Sequence, residues 1–147
     1  MRGDPGKRGQ QMTKPGVQYA ALPFRQAGAP EIMLVTSRDT RRWVIPKGWP
    51  MKSRKPYAAA AREALEEAGV TGKISRTALG VYPYLKRLGN GAALRVKVRV
   101  FALEVLQERA SWPEMAQRDR RWFSIADAAE AVEEPELKAI ILAFGQF

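Results

Sequence analysis

The chain contains no cysteine and no histidine. The first absence excludes a disulfide framework and a thiolate metal centre. The second excludes an imidazole base, a histidine zinc site and serine–histidine chemistry. Catalysis by these residues must therefore rest on carboxylates, lysine, arginine, tyrosine, backbone amides or a bound hard cation. No apolar run approaches the roughly 20 residues a membrane-spanning helix needs. Residues 1–16 are polar and rich in glycine and proline, without the apolar region of a signal peptide. The expectation is a cytoplasmic protein with no membrane partner.

Acids are scarce in the first part of the chain. Residues 1–62 hold 13 Lys and Arg against three acids, a net of +10, whereas residues 63–147 hold 12 of each. The excess calls for an anionic counterpart. Arg2, Lys7, Arg8 and Lys14 suit a flexible basic tail over residues 1–16. Arg41, Arg42, Lys47, Lys52, Arg54 and Lys55 instead bracket the motif described below. The remaining length, residues 17–147, fits one domain with one core, as a monomer or homodimer.

Hydrophobic patterning predicts strands over residues 18–25 and 31–36, with a turn at Gly28-Ala29-Pro30, and a short strand Trp43-Val44-Ile45 stopped by Pro46. A loop over residues 47–55 leads to a helix that begins near Pro56 and ends at Gly69. Residues 74–84 read as extended, and Asn90-Gly91 marks a hairpin turn. Residues 94–105 alternate: Leu94, Val96, Val98, Val100 and Ala102 on one face, Arg95, Lys97 and Arg99 starting the other. That row of cations suits either open solvent or an anion cleft. A strand over residues 120–123, a helix over 125–132 capped by Ser124 with Asp127 as partner, and a helix over 135–144 complete the pattern.

The helix over residues 58–69, AAAAREALEEAG, carries the chemistry. Helical spacing places Ala58, Ala61, Leu65 and Ala68 on one stripe and Glu63, Glu66 and Glu67 on the opposite one. Like charges at i,i+4 cost about 0.2–0.5 kcal/mol per pair. Carboxylates near a helix C-terminus cost roughly 0.3–1 kcal/mol each against the helix dipole. A divalent cation reverses both signs, and magnesium, a hard ion held by a few carboxylates and substrate phosphates, suits such a stripe. A solvated acidic face paired with nearby Arg or Lys is the plainer alternative.

Gly48, a gap of 13 residues, and then Arg62-Glu63-Ala64-Leu65-Glu66-Glu67-Ala68-Gly69-Val70 resembles the Nudix box. One position departs from that pattern: Arg54 stands where the family has its first glutamate. The resemblance implies a Nudix fold, an α/β (α+β) arrangement with a mixed β-sheet sandwiched between helices. It implies a magnesium-dependent pyrophosphohydrolase, with manganese as the other cation, in which Glu66 and Glu67 are the main ligands. Glu63 adds metal contact or acts as general base, and Arg62 orients a carboxylate. A further carboxylate from outside the box is Glu104 or Glu114.

The run Trp43-Val44-Ile45-Pro46-Lys47-Gly48-Trp49-Pro50 is similar to the branch that includes diphosphoinositol and diadenosine polyphosphate hydrolases. Lys47 and Gly48 would then meet phosphate, with Arg41, Arg42, Lys97 and Arg99 as further substrate contacts and Arg118 and Arg120 extending the basic surface. Tyr82, Tyr84, Trp49 and Trp112 are candidates for stacking on a base, or core residues; Trp122-Phe123 belong to the core. The expected partner is a polyphosphorylated small molecule. Alternatives are a 5′-pyrophosphohydrolase of RNA, a catalytically impaired domain that binds a polyanion, and a nucleic-acid-binding module. No nucleic-acid motif favours the last of these.

Overall fold

The computed structural model describes residues 16–146. The expected basic tail falls on residues 1–15, outside the described residues, apart from Gly16, which opens the first strand. In chain order the elements are β1 (Gly16–Ala27), β2 (Ala29–Thr36), β3 (Trp43–Val44), β4 (Lys47–Gly48), α1 (Pro56–Ala68), β5 (Val70–Ile74), β6 (Gly80–Arg87), β7 (Ala93–Glu108), β8 (Arg120–Ser124), α2 (Ile125–Ala131) and α3 (Pro135–Phe144).

One mixed sheet runs β3-β2-β1-β7-β5, with β4 on β1, β6 on β7 and β8 on β2. β1 lies parallel to β7 from Gly16↔Val96 to Phe24↔Glu104, and the other pairings are antiparallel. Helices cover both faces. Ala20, Leu22, Ile32, Leu34, Val96, Val98 and Val100 pack toward α2 and α3, while Ala21, Met33, Val35, Phe101 and Leu103 pack under α1. The expected sandwich of a mixed sheet between helices is therefore present.

The alternation in β7 holds from Arg95 to Val100 and then stops, because Phe101 and Leu103 are buried as well. A strand covered on one face alternates; covered on both, it becomes continuously apolar. The boundary marks where α1 begins to cover the sheet.

Several expectations need correction. The buried face of α1 is Ala59, Ala60, Ala64, Glu67 and Ala68, not the stripe through Ala58, Ala61 and Leu65. Four consecutive alanines give the hydropathy no contrast, so the phase of the helix was free to turn by about one residue. The extended stretch over residues 74–84 is two strands separated by a bend, where the Ser75 hydroxyl donates to the Thr77 carbonyl at 3.1 Å. The β1–β2 turn needs only Gly28, at φ 81°. Lys47 and Gly48, assigned to a loop, form a short strand against β1.

Candidate active site

The site lies where β4 meets α1. Lys47 and Gly48 pair with Ala20 and Tyr19, and the Ala21 N–H donates to the Pro46 carbonyl at 3.0 Å. Gly48 then faces α1, and the Glu63 carboxylate occupies the space that a Cβ at position 48 would need. The Lys47 N–H points to Glu67 Oε1 at 3.4 Å.

The loop between β7 and β8 folds back onto the C-terminus of α1. Its last-turn carbonyls lack partners within the helix. The Glu114 N–H donates to the Glu66 carbonyl at 3.0 Å, Trp112 Nε1 to the Glu67 carbonyl at 3.1 Å, and Arg120 Nη1 to the Ala68 carbonyl at 2.9 Å. Gly69 ends the helix at φ 69°, and a side chain there would strike Trp112. The Arg120 guanidinium stacks 3.9 Å from the Trp112 ring and places a cation at the negative end of the helix.

This latch brings Glu114 and Arg118 to the site. Arg118 Nε meets Glu114 Oε1 at 2.7 Å, Arg118 Nη2 lies 3.6 Å from Glu67 Oε2, and Nη1 donates to the Thr36 carbonyl at 3.0 Å. The result is a cleft of about 250 Å³ with Glu63, Glu67 and Glu114 facing Lys47 and Arg118, and Trp49 and Tyr84 on its walls. Lys47 Nζ sits 4.1 Å from the Tyr84 ring centroid.

Burial dominates the electrostatics. It pushes the Glu67 carboxyl up to about 8, opposed by Arg118 and reinforced by Glu63. It also raises Glu63, against a hydrogen bond with Glu67 that favours the charged form. Burial lowers the Lys47 ammonium to about 8, opposed by Glu67 and then Glu134. Carboxylates this reluctant to ionise are short of positive charge.

The structure brings Lys47, Gly48, Glu63 and Glu67 together but not the whole expected set. Glu66 is not among the cleft's lining residues; its Oε2 is held by Arg62 Nε at 2.8 Å, one turn away. Arg41, at φ 62°, is tied to Asp119 at 3.0 Å and to the Gln117 carbonyl at 2.9 Å. Arg42 pairs with Glu134 at 2.8 Å and lines a neighbouring cavity against the start of α3. Lys97 and Arg99 alternate with buried Val96, Val98 and Val100 and project from the exposed sheet face, away from the cleft. Arg120 serves the α1 latch.

Of the two carboxylates outside the box, Glu114 lines the cleft, whereas Glu104 is exposed on β7 opposite Lys73. Tyr82 is core and Trp112 belongs to the latch, so Trp49 and Tyr84 are the aromatics that reach the cleft. Phe123 is buried as expected, while Trp122 is half-buried. Sequence reasoning missed Gln18, a buried β1 residue that lines the cleft and whose buried Oε1 has no hydrogen-bond partner among the described residues. It also missed Ser37 and Arg38, which line the cleft from the β2–β3 turn. The available signal for Gln18 was a polar residue on the same strand face as the core residues Ala20 and Leu22.

The donor set suits magnesium or manganese. Glu63, Glu67 and Glu114 offer only hard oxygen, and the missing Cβ at Gly48 makes room for the Glu63 carboxylate. Among the described residues no three acids stand close enough to form a ready-made cage. The fit is to a cation held by a few carboxylates plus its own waters and substrate oxygens.

A family model described as NUDIX domain matches residues 14–144. The chain belongs to the Nudix family. Among curated Nudix relatives it is 36% identical over 109 residues to Nudix hydrolase 13, mitochondrial, of Arabidopsis thaliana, covering 68% of this chain and 52% of that protein. It is 35% identical over 117 residues to diphosphoinositol polyphosphate phosphohydrolase 3-alpha of Mus musculus, covering 78% and 67%. The chain thus spans about half the length of the two Arabidopsis relatives it matches. A C. elegans Ap4A hydrolase superposes with a TM-score of 0.65 at 21% identity over 90% of this chain and 98% of that one, which shows the shared Nudix fold. Among the described residues, no helix is long and apolar enough to cross a membrane.

Proposed function

We propose that this Nudix chain hydrolyses a phosphoanhydride bond in a polyphosphorylated small molecule, such as a diphosphoinositol polyphosphate or a diadenosine polyphosphate. The observation that carries this reading is the convergence of Glu63, Glu67 and Glu114 with Lys47 and Arg118 on one cleft. The names of the mouse relative and of the C. elegans structural neighbour support it. The cytoplasmic location expected from the sequence remains part of the proposal; both Arabidopsis relatives are named mitochondrial.

Glu63 and Glu67 would hold the divalent cation, with Glu114 joining from outside the box. Such a cation neutralises phosphate oxygens and acidifies its bound water. Lys47, which lines the cleft beside Tyr84, would meet the phosphates. Arg118 spans Glu67 and Glu114 and fixes the direction of both carboxylates. Where Glu67 and Glu114 hold the cation without it, Glu63 would instead be placed to accept the proton of the attacking water. Trp49 and Tyr84 offer faces to a base. Positioning and electrostatic stabilisation supply most of the catalysis.

The test is magnesium-dependent release of phosphate or nucleotide across diphosphoinositol polyphosphates, diadenosine polyphosphates, nucleoside triphosphates, nucleotide sugars and 5′-triphosphate RNA, each repeated with Glu67→Gln. Turnover of one polyphosphate class that disappears in the variant supports the proposal and names the class. Binding without turnover anywhere makes the domain a polyanion sensor, with Arg54 as the mark of lost catalysis.

A further inference from the structure

We propose that the exposed face of β6 and β7 is an exosite for a single-stranded polynucleotide whose 5′-terminal polyphosphate lies in the cleft. This rests on the cleft binding polyphosphate and goes beyond it to a second surface and a larger substrate.

Arg95, Lys97 and Arg99 project from one face of β7 and make no ion pair among the described residues. Alternate strand residues stand roughly 6.6–6.8 Å apart, so the three form an evenly spaced cationic row. Their register neighbours bring no acid: Leu85 is opposite Arg95, Pro83 and Val17 flank Lys97, and Val81 and Tyr19 flank Arg99. Val81 and Leu85 are 49% and 53% exposed and leave apolar ground between the cations for base faces. A second copy of the chain is a poor occupant, since pairing this face with itself would oppose one unpaired row to another.

The row connects to the active site. Tyr84 lines the catalytic cleft and also a cavity of about 430 Å³ against Arg95 and Lys97, around the open edge of β6. Lys86 lines the cleft as well. A strand with its terminal phosphates beside Lys47 therefore has a basic path past Lys86 and Tyr84 to Arg95, Lys97 and Arg99. An acidic peptide would match the row but brings no phosphoanhydride to the cleft. A 5′-polyphosphorylated polynucleotide carries both anions on one molecule.

The test is fluorescence anisotropy, with magnesium, of an oligouridylate of roughly 12 nucleotides bearing a non-hydrolysable 5′-triphosphate, within the span single-strand sites take. A labelled non-hydrolysable nucleoside triphosphate, too short to leave the cleft, is measured beside it. The variant Arg95→Gln/Lys97→Gln/Arg99→Gln is expected to weaken oligonucleotide binding on the order of ten-fold and to lower the salt slope by about 2, from about 0.7 per phosphate contact. Its affinity for the mononucleotide is expected to match wild type. The charge-matched control Lys73→Gln/Arg76→Gln/Arg109→Gln, on exposed residues toward the opposite end of β7, should leave both affinities near wild type. Wild-type binding by the first variant, or an equal loss in the control, overturns the exosite. An equal loss for the mononucleotide overturns it too, by placing the three cations in the cleft. If the wild type binds the oligonucleotide but not the mononucleotide, the cleft reading fails; if it binds neither, both fail.

Discussion

The carboxylate of Glu63 fills the space beside Gly48 that any side chain at position 48 would occupy. Glycine is therefore required by the close approach of the Glu63 carboxylate, and not by backbone conformation. The clash falls on the far end of a flexible side chain, so the fold can yield. Gly48→Ala is expected to fold with little change in melting temperature. Displacing Glu63 by about an ångström should lower kcat on the order of 100-fold. Steady-state kinetics beside thermal unfolding decide the matter: a large loss of stability with kcat per folded molecule preserved would contradict it.

The metal-free protein should lose stability as pH rises. Folding raises Glu67 from 4.5 to about 8, so across that window the folded state keeps a proton that the unfolded state has released. Glu63 shifts in the same direction, whereas Lys47 acts only above pH 8, between its lowered pKa of about 8 and 10.5. Glu67→Gln removes the largest contributor. In EDTA it is expected to flatten the fall and to melt higher than wild type at pH 8, by several degrees. A wild-type melting temperature that rises across the window would contradict the burial of Glu67.

The loop that carries Glu114 is held by the end of α1. Trp112→Phe keeps an aromatic ring beneath Arg120 but deletes the Nε1 donor to the Glu67 carbonyl. A loss of about 1–2 kcal/mol is expected from the unpaired buried carbonyl. Activity should fall further than in a surface variant, since Glu114 and Arg118 ride on the same loop. Denaturant unfolding and kinetics check this; unchanged values in both would show that the latch is not needed.

Much of the fold was legible in the chain. The alternation from Arg95 to Val100, the Pro56 start and Gly69 stop of α1, and the Ser124 cap, whose hydroxyl oxygen accepts from the Asp127 N–H at 3.1 Å, all follow local rules. What escaped was long-range. Glu66 looks equivalent to Glu63 and Glu67 on a helical wheel, whereas the structure pairs it with Arg62 at 2.8 Å while Glu63 and Glu67 line the cleft. Glu67 looks solvent-facing and is buried, because the α1 phase cannot be read through four alanines. Glu114 and Arg118 reach the cleft only through the Trp112 and Arg120 latch, across more than 40 residues of sequence.

Arg54 is exposed in the loop before α1, where the family pattern has glutamate, and Arg62 instead takes Glu66 as its partner at 2.8 Å. Arg54→Glu restores the family's acid at this position and removes an exposed cation from the loop before α1. Activity is expected to persist, with preference moving toward less charged substrates. Ratios of kcat/KM across the substrate panel report this, and an unaltered ranking would contradict the role given to Arg54.

The central claim is that Glu63 and Glu67, one turn apart on α1, hold the divalent cation. Manganese binding followed by electron paramagnetic resonance tests it without any substrate. Glu63→Gln and Glu67→Gln are each expected to weaken manganese affinity at least about ten-fold, the scale of losing one good ionic contact. Glu66→Gln, which frees Arg62 and lies outside the cleft lining, should remain within a few-fold of wild type. Strong binding that survives both cleft variants, or is lost only in Glu66→Gln, would place the cation elsewhere and contradict the account.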